Sequence, residues 1–400
     1  MPAKKIVIVG SGNAGLSVAA QLLKKDKSLQ ISIIDPSAKH YYQPAWTLVG
    51  AGIFDINKTV RNQADYIPKG TTWIKDAVAT FLPDENKVVC ASGKSYEYDA
   101  MIVCPGIQLD WNKIKGFKET LGKNEVSCNY SFDVAPYTWE LIKNFKGGTA
   151  IFTNPVSPVK CGGAPHKIMY LACDYWRKQG ILDKCNVHYL SGAGVMFGIK
   201  EYAATLAEVV KMDNIKTHFG VNVVELNGAN KTVYYEEKNT DGVAERKAMK
   251  FDMCHAVPAQ SAPDFIKNSL LADANNPYGY VMVNKNTMQH RRYTKVFALG
   301  DCTNAPCSKT GAAIRKQAPV VVQNVLSVLA NQPMTGDYTG YSTCPIPTQY
   351  GKLMLAEFDY TNTPKMTFPF DQAKPRWTMW ILKTKVLPWL YWNKILKGTA

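Results

Sequence analysis

The chain has 400 residues, 46% of them hydrophobic, and a formal net charge of +15. That length and apolar content exclude a disordered chain and predict two or three domains with real cores. The positive excess would suit nucleic acid, an anionic membrane or an anionic substrate, and its location has to choose among them. No run reaches the roughly 18 apolar residues of a spanning helix, and no signal peptide with a small-residue cleavage site is visible. A removed transit peptide would leave no trace. Ten cysteines without an export signal point to reduced or redox-working thiols rather than a disulfide framework.

The first predicted unit is Lys5 to Asp35. A buried parallel strand, Ile6 to Val9, runs into Gly10-Ser11-Gly12-Asn13-Ala14-Gly15. A helix with apolar spacing follows, then a second strand, Ile31 to Ile34, ending in Asp35. This is a dinucleotide fingerprint in its full βαβ context. Gly10 permits the tight turn, Gly12 admits the pyrophosphate, and Gly15 lets helix and strand pack closely. The start of the helix, with Asn13 and Ala14, would face the phosphates, and Asp35 could accept from a ribose hydroxyl. The fingerprint alone does not separate FAD from NAD. Two later pieces favour FAD, because they follow the order of flavoproteins with two dinucleotide folds. One is the strand-then-glycine segment Tyr98 to Gly106, where Cys104-Pro105-Gly106 replaces the usual Thr-Gly. The other is Val296 to Leu299 running into Gly300-Asp301, whose acid would bind the ribityl chain.

A second βαβ unit is predicted from strand Ala150–Thr153, a helix from Ile168 to Lys178 and strand Val187–Leu190. Its connecting loop is Asn154-Pro155-Val156-Ser157-Pro158-Val159-Lys160-Cys161-Gly162-Gly163-Ala164-Pro165. Three prolines remove three amides from any phosphate cradle. No acid follows Leu190; the chain continues Ser191-Gly192-Ala193-Gly194. The loop is therefore unsuited to NADH. Cys161 stands at the carboxyl end of a parallel strand, where α/β sheets place chemistry. Lys160 and the helix N-terminus could favour its thiolate; a structural cysteine is the alternative. Cys302 and Cys307 have a Cys-x4-Cys spacing but follow Gly300-Asp301, far from the early helix where disulfide reductases carry such a pair, and are not expected to be redox-active.

The charge concentrates at the end. Residues 365 to 400 hold seven Lys or Arg against one acid, Asp371, and four of the nine tryptophans. Arg376 to Leu396 reads as two short amphipathic helices hinged before Pro388. Interfacial tryptophans with snorkelling lysines predict a membrane-surface segment, with a helical hairpin closing the core, or a dimer interface, as alternatives. Nucleic acid is not expected, because leucines and aromatics replace a phosphate-binding Arg pattern. The predicted architecture is α/β with two Rossmann-like domains: an FAD domain from 1–110, a degenerate NAD-type domain from 111–285, a return to the FAD domain over 286–340, and a C-terminal region from 341–400.

The segments His40-Tyr41-Tyr42-Gln43-Pro44, Pro158 to Lys178, Gly300 to Ala313 and Tyr341-Ser342-Thr343-Cys344-Pro345 together resemble the sulfide:quinone oxidoreductase family, in the branch that includes the mitochondrial enzyme. The resemblance implies FAD as cofactor, hydrogen sulfide and ubiquinone or another quinone as substrates, and a sulfur acceptor such as sulfide, sulfite, glutathione or polysulfide. It implies a catalytic couple of Cys161 and Cys344, bridged by sulfur. Cys344 would keep the persulfide and Cys161 would attack the flavin. Lys160, Lys309 and Lys316 are candidates for a basic surround, and Lys309-Thr310-Gly311 matches the segment that packs against flavin. Cys128 matches a position where some relatives carry a third cysteine, auxiliary or covalently bonded to FAD. Phe358, Tyr391 and Trp392 are candidates for stacking on quinone, and His166 reads as a polar helix-start residue. No metal site is expected, and a homo-oligomer is left open. The implied place is the surface of a bacterial cytoplasmic or mitochondrial inner membrane. The competing readings are a type II NADH:quinone oxidoreductase, a flavocytochrome c sulfide dehydrogenase, and a flavin-bearing binding protein without turnover.

Overall fold

The structure is a computed structural model that describes residues 3–400. Two five-stranded parallel sheets form its frame. In the first, the strands lie in the order Val296–Ala298, Ala100–Val103, Lys5–Val9, Gln30–Ile34, Thr71–Ile74. In the second, the order is Val126–Ser127, Met253–His255, Gly148–Asn154, Cys185–Ser191, Lys216–Phe219. Ile6, Ile8, Ile102 and Val103 are almost fully buried. A parallel sheet covered on both faces calls for such continuous apolar runs rather than alternation.

The chain crosses between the domains twice. The crossings, Gln108–Asp110 and Ala259–Ser261, pair as an antiparallel ribbon. The return to the first domain therefore comes near residue 262, earlier than the expected 286. Ala262, Ile266, Leu271, Tyr280 and Val281 pack in the core of the first domain. These residues carry no βαβ period, so their allegiance was set by packing alone.

Beyond the return helix Gly311–Leu329, an antiparallel hairpin, Ser342–Gln349 and Lys352–Phe358, lies on the helix Ala164–Lys178 of the second domain. The C-terminal segment then runs as one helical stretch from Trp377 to Ile395. The expected hinge before Pro388 is absent. The turn preceding it, Leu382–Val386, is π-helical, and such a widened turn accommodates a proline without breaking the run. One face of this stretch buries Met379, Lys383, Thr384, Tyr391, Trp392 and Leu396. The other exposes Trp377, Val386 and Trp389.

Candidate active site

The loop after strand Gly148–Asn154 fills the place that a phosphate cradle would occupy. A methyl group added at Gly192 would lie 2.5 Å from the Val156 amide nitrogen, so the loop sits directly on the turn after the next strand. Two hydrogen bonds hold it down: Gln260 N–H donates to Ser157 Oγ (2.9 Å) and Lys160 N–H to Gln260 Oε1 (2.9 Å).

Cys161 ends this loop with φ = 57°. A non-glycine residue in the left-handed region is strained and persists only when its surroundings over-determine it. Two hydrogen bonds do so here. The Cys161 amide donates to the Lys309 carbonyl (2.6 Å), and the Cys161 carbonyl accepts from the Ala164 amide (2.7 Å). The hairpin supplies Cys344, opposite Ala356. The two sulfurs stand 3.7 Å apart. Gly163 makes that approach possible, since a methyl group there would lie 2.6 Å from Cys344 Sγ.

Lys167, on the first turn of the helix that follows, donates from Nζ to Cys161 Sγ at 3.0 Å. Lys383, from the C-terminal helical stretch, is buried nearby and donates to the Pro44 carbonyl (2.9 Å). The electrostatics separate the two cysteines. A hydrogen bond from the Cys344 thiol, then the Lys167 and Lys383 charges, hold Cys161 well below the usual thiol range despite its burial. The same shared bond and burial push Cys344 well above it. Burial opposes the Lys167 charge, yet the two sulfurs raise its pKa overall. Burial, and then repulsion from Lys167, push Lys383 down to about 8. These shifts favour the thiolate at Cys161 over one at Cys344, with Lys167 and Lys383 beside the pair.

The cysteine loop abuts the first dinucleotide fold through Lys309. Thr310 caps the helix Gly311–Leu329, its hydroxyl accepting from Ala313 N (3.1 Å) and pairing with Ser342 Oγ (2.8 Å). Gly311 lies against Asn13, so two helix N-termini converge. Gly10 has φ = 101°, and a methyl group there would strike the Cys104 carbonyl at 2.7 Å; one at Gly15 would strike the Gly10 carbonyl at 1.9 Å. Added methyl groups at Gly12 and Gly106 meet nothing within 4 Å, so both backbones face open space. The Ser11 hydroxyl in the same loop is buried without a partner. These features fit a bound dinucleotide pyrophosphate.

The model of the family described as pyridine nucleotide-disulphide oxidoreductase matches residues 4–131. The mitochondrial sulfide:quinone oxidoreductase of Dictyostelium discoideum is 46% identical over 98% of this chain and 86% of its own. The mouse protein of that name is 40% identical over the same shares. The chain belongs to the sulfide:quinone oxidoreductase family. The family member from Aquifex aeolicus, known as a crystal structure, has the same fold, with a TM-score of 0.81 at 21% identity over 99% of this chain and 92% of that one.

Within this family member, the other residues singled out from sequence are spread more widely. Asp35 accepts from Ser11 N (2.7 Å) and Ser37 N (2.8 Å), so its carboxylate braces the glycine loop. Gly300 turns with φ = 78°. Lys309 Nζ donates to the carbonyls of Asp301 (2.7 Å) and Thr303 (2.9 Å) and lies 3.6 Å from the Tyr280 ring centroid. It therefore staples the Gly300–Asp301 turn. Burial raises the Asp301 pKa, with Lys309 and Lys160 opposing. Lys160 reaches Gln43 Oε1 (2.5 Å), and Lys316 is an exposed residue over Tyr341. Cys128 is fully buried in the core of the second domain with Cys254, its thiol pushed up to about 12 by burial. His166 is on the first turn of its helix as expected, but it is fully buried with both ring nitrogens unpartnered. Phe358, Tyr391 and Trp392 do not converge. Phe358 packs on Phe197 in the second domain's core, while Tyr391 and Trp392 pack in the first.

Lys167 and Lys383 were missed from sequence. A signal existed for Lys167: it shares a helical stripe with Tyr170, Leu171 and Asp174, a spacing that places a lysine on a buried face. Nothing local marks Lys383, which lies 222 positions beyond Cys161.

Proposed function

We propose that this protein oxidises hydrogen sulfide through Cys161 and Cys344 and passes two electrons by way of FAD to a quinone. The observation that carries the reading is a 3.7 Å pair of sulfurs with a lysine 3.0 Å from one of them, at the edge of a dinucleotide fold. Two S–S bonds of about 2.05 Å meeting at a bent divalent sulfur hold their ends roughly 3.3 Å apart, so a small closure of the 3.7 Å gap would let one sulfur bridge the pair. Hydrosulfide attack on the bridging sulfur breaks its bond to one cysteine, which leaves as a thiolate, while the other cysteine keeps both added sulfurs as Cys–S–S–SH; once the outer sulfur has gone to an acceptor, two-electron oxidation by FAD would close the bridge again. Lys167 favours Cys161 as the thiolate, leaving Cys344 to carry the sulfane sulfur. A nucleophilic acceptor (sulfide, sulfite, glutathione or a polysulfide) then takes that sulfur. Gly10, Gly12, Asn13, Ala14, Gly15, Gly106, Gly300, Asp301, Thr310 and Gly311 would hold the FAD, and Asp35 and Lys309 brace its loops. When bound, FAD supplies a two-electron acceptor that a quinone can reoxidise. Burial of Cys128 supports non-covalent attachment.

The membrane surface is the proposed place of reaction. Trp377 (64% exposed), Trp389 (54%) and Val386 (39%) project beside the exposed Lys385 and Lys394, a combination suited to an anionic interface. Among the described residues no helix is long and apolar enough to cross a membrane.

The test is sulfide-dependent reduction of a short-chain quinone by the FAD-loaded protein. Turnover is expected in the native chain and none in Cys161→Ser or Cys344→Ser. Native turnover in either variant overturns the cysteine assignment.

A further inference from the structure

Three buried hydrogen bonds connect the C-terminal helical stretch to the glycine loop of the first domain. Tyr391 OH lies 2.7 Å from His40 Nε2, His40 Nδ1 lies 3.0 Å from Gln63 Oε1, and Gln63 Nε2 lies 3.1 Å from the Ser11 carbonyl. Ser11, His40, Gln63 and Tyr391 are all at most 6% exposed. The partners fix the direction of every proton. A carbonyl can only accept, so the Gln63 amide nitrogen faces Ser11 and its oxygen faces His40. His40 must then donate from Nδ1, which leaves Nε2 as the acceptor in a neutral ring, and Tyr391 donates to it. Burial favours that neutral form. On the other side of Ser11, its amide donates to Asp35 Oδ2 (2.7 Å). The peptide groups on both sides of Ser11 are thus held, one by the second strand's acid and the other by a chain that begins in the last helix.

The same end of the helix is tied along the nucleotide-binding helix Asn13–Lys25. Ser17 Oγ donates to the Ile395 carbonyl (3.1 Å) and Lys24 Nζ to the Gly398 carbonyl (2.9 Å). Trp392 fills the space beside the relay, with the Arg61 guanidinium 4.4 Å from its ring centroid and Tyr66 at 5.1 Å.

We infer that Tyr391, His40 and Gln63 are positioning residues that set the Ser11 carbonyl, and with it the glycine loop, so that retention of the dinucleotide depends on docking of the C-terminal helix. The inference rests on the reading that this loop holds FAD. An unpaired Ser11 carbonyl would let the Gly10–Gly12 peptides rotate, and their amides would lose aim at the pyrophosphate. Fully docked, the relay keeps them oriented before the cofactor arrives.

The experiment measures release of flavin from the holoenzyme on dilution, read as recovery of free-flavin fluorescence, together with thermal unfolding. Tyr391→Phe removes one hydroxyl and is expected to speed release about 3- to 10-fold, the range for one lost buried hydrogen bond. Gln63→Leu cuts the last link and should speed release at least as much. In the double variant Tyr391→Phe should add nothing, because its effect can reach Ser11 only through Gln63. Trp176→Phe trims packing in the second domain's core, away from the relay; it should lower the unfolding temperature and leave release unchanged. Native release in Tyr391→Phe, multiplying effects in the double variant, or release from Trp176→Phe as fast as from Tyr391→Phe would each overturn the relay. A native protein that binds no flavin at all would instead overturn the FAD reading beneath it.

Discussion

Four of the five strands in each parallel sheet of this molecule follow one order, and the turns after their leading strands are of opposite kinds. In the first domain the turn after the leading strand is Gly10 to Gly15, and a methyl group at Gly12 meets no protein atom. In the second the equivalent turn is occupied by its own prolines, and a methyl group at Gly192 would strike Val156. Both put chemistry at the carboxyl end of a central strand. One presents backbone amides to a ligand; the other presents a strained cysteine to a second thiol. On the proposed reading, a fold that offers two nucleotide sites uses one of them as a scaffold for sulfur.

The largest effects should come from variants that disable one loop and spare the other. Gly12→Val should abolish flavin binding while the chain still folds, since the new side chain enters space that no protein atom fills. Gly163→Ala should do the reverse, leaving the yellow colour intact and abolishing sulfide turnover, because its methyl group displaces Cys344 Sγ. Flavin content and sulfide-dependent quinone reduction, measured together, check both.

The next effect concerns charge. With Lys167 in place, Cys161 remains a thiolate well below the usual thiol range. Its contribution to stability is present above the unfolded thiol pKa and is lost as pH falls through the lower folded value. Lys167→Met should raise the Cys161 pKa. In the reduced, unbridged protein at pH 6, each tenfold fall in the thiolate fraction should slow alkylation by iodoacetamide about tenfold. Lys383 should lose its charge as pH rises through about 8. Alkylation profiles from about pH 5 to 9 resolve both changes.

Smaller effects belong to the periphery. Trp377→Ser with Trp389→Ser should weaken sedimentation with anionic liposomes about tenfold or more, given that full burial of such a side chain contributes roughly 1.5–3 kcal/mol. Flavin binding should be unchanged in that variant, because neither side chain enters the relay to Ser11. Cys128→Ala should cost only about 1 kcal/mol as a small cavity, and denaturation of the native protein should release all its flavin.

Both βαβ units were legible in sequence because apolar runs and glycine spacing are local. So was the approach to Cys161, whose loop carries prolines where amides were needed. The partner Cys344 came from family resemblance, since its place opposite Ala356 in a hairpin depends on register with distant residues. Lys383 and the Tyr391 to Ser11 relay were not legible, because each joins segments more than 200 positions apart. The tail was half-legible. Its tryptophans and lysines marked an amphipathic face, but the burial of Tyr391, Trp392 and Leu396 follows from three-dimensional packing.

On the proposed reading, electrons enter from sulfide at the cysteine couple and not from a nicotinamide at the second loop. Anaerobic titration of the FAD-loaded protein, followed at the flavin absorbance band, decides between the two routes. Sulfide should bleach the band stoichiometrically, Cys161→Ser should prevent this, and NADH should leave the band unchanged over the same interval. Bleaching by NADH as fast as by sulfide, or full bleaching by sulfide in Cys161→Ser, would refute the sulfide route.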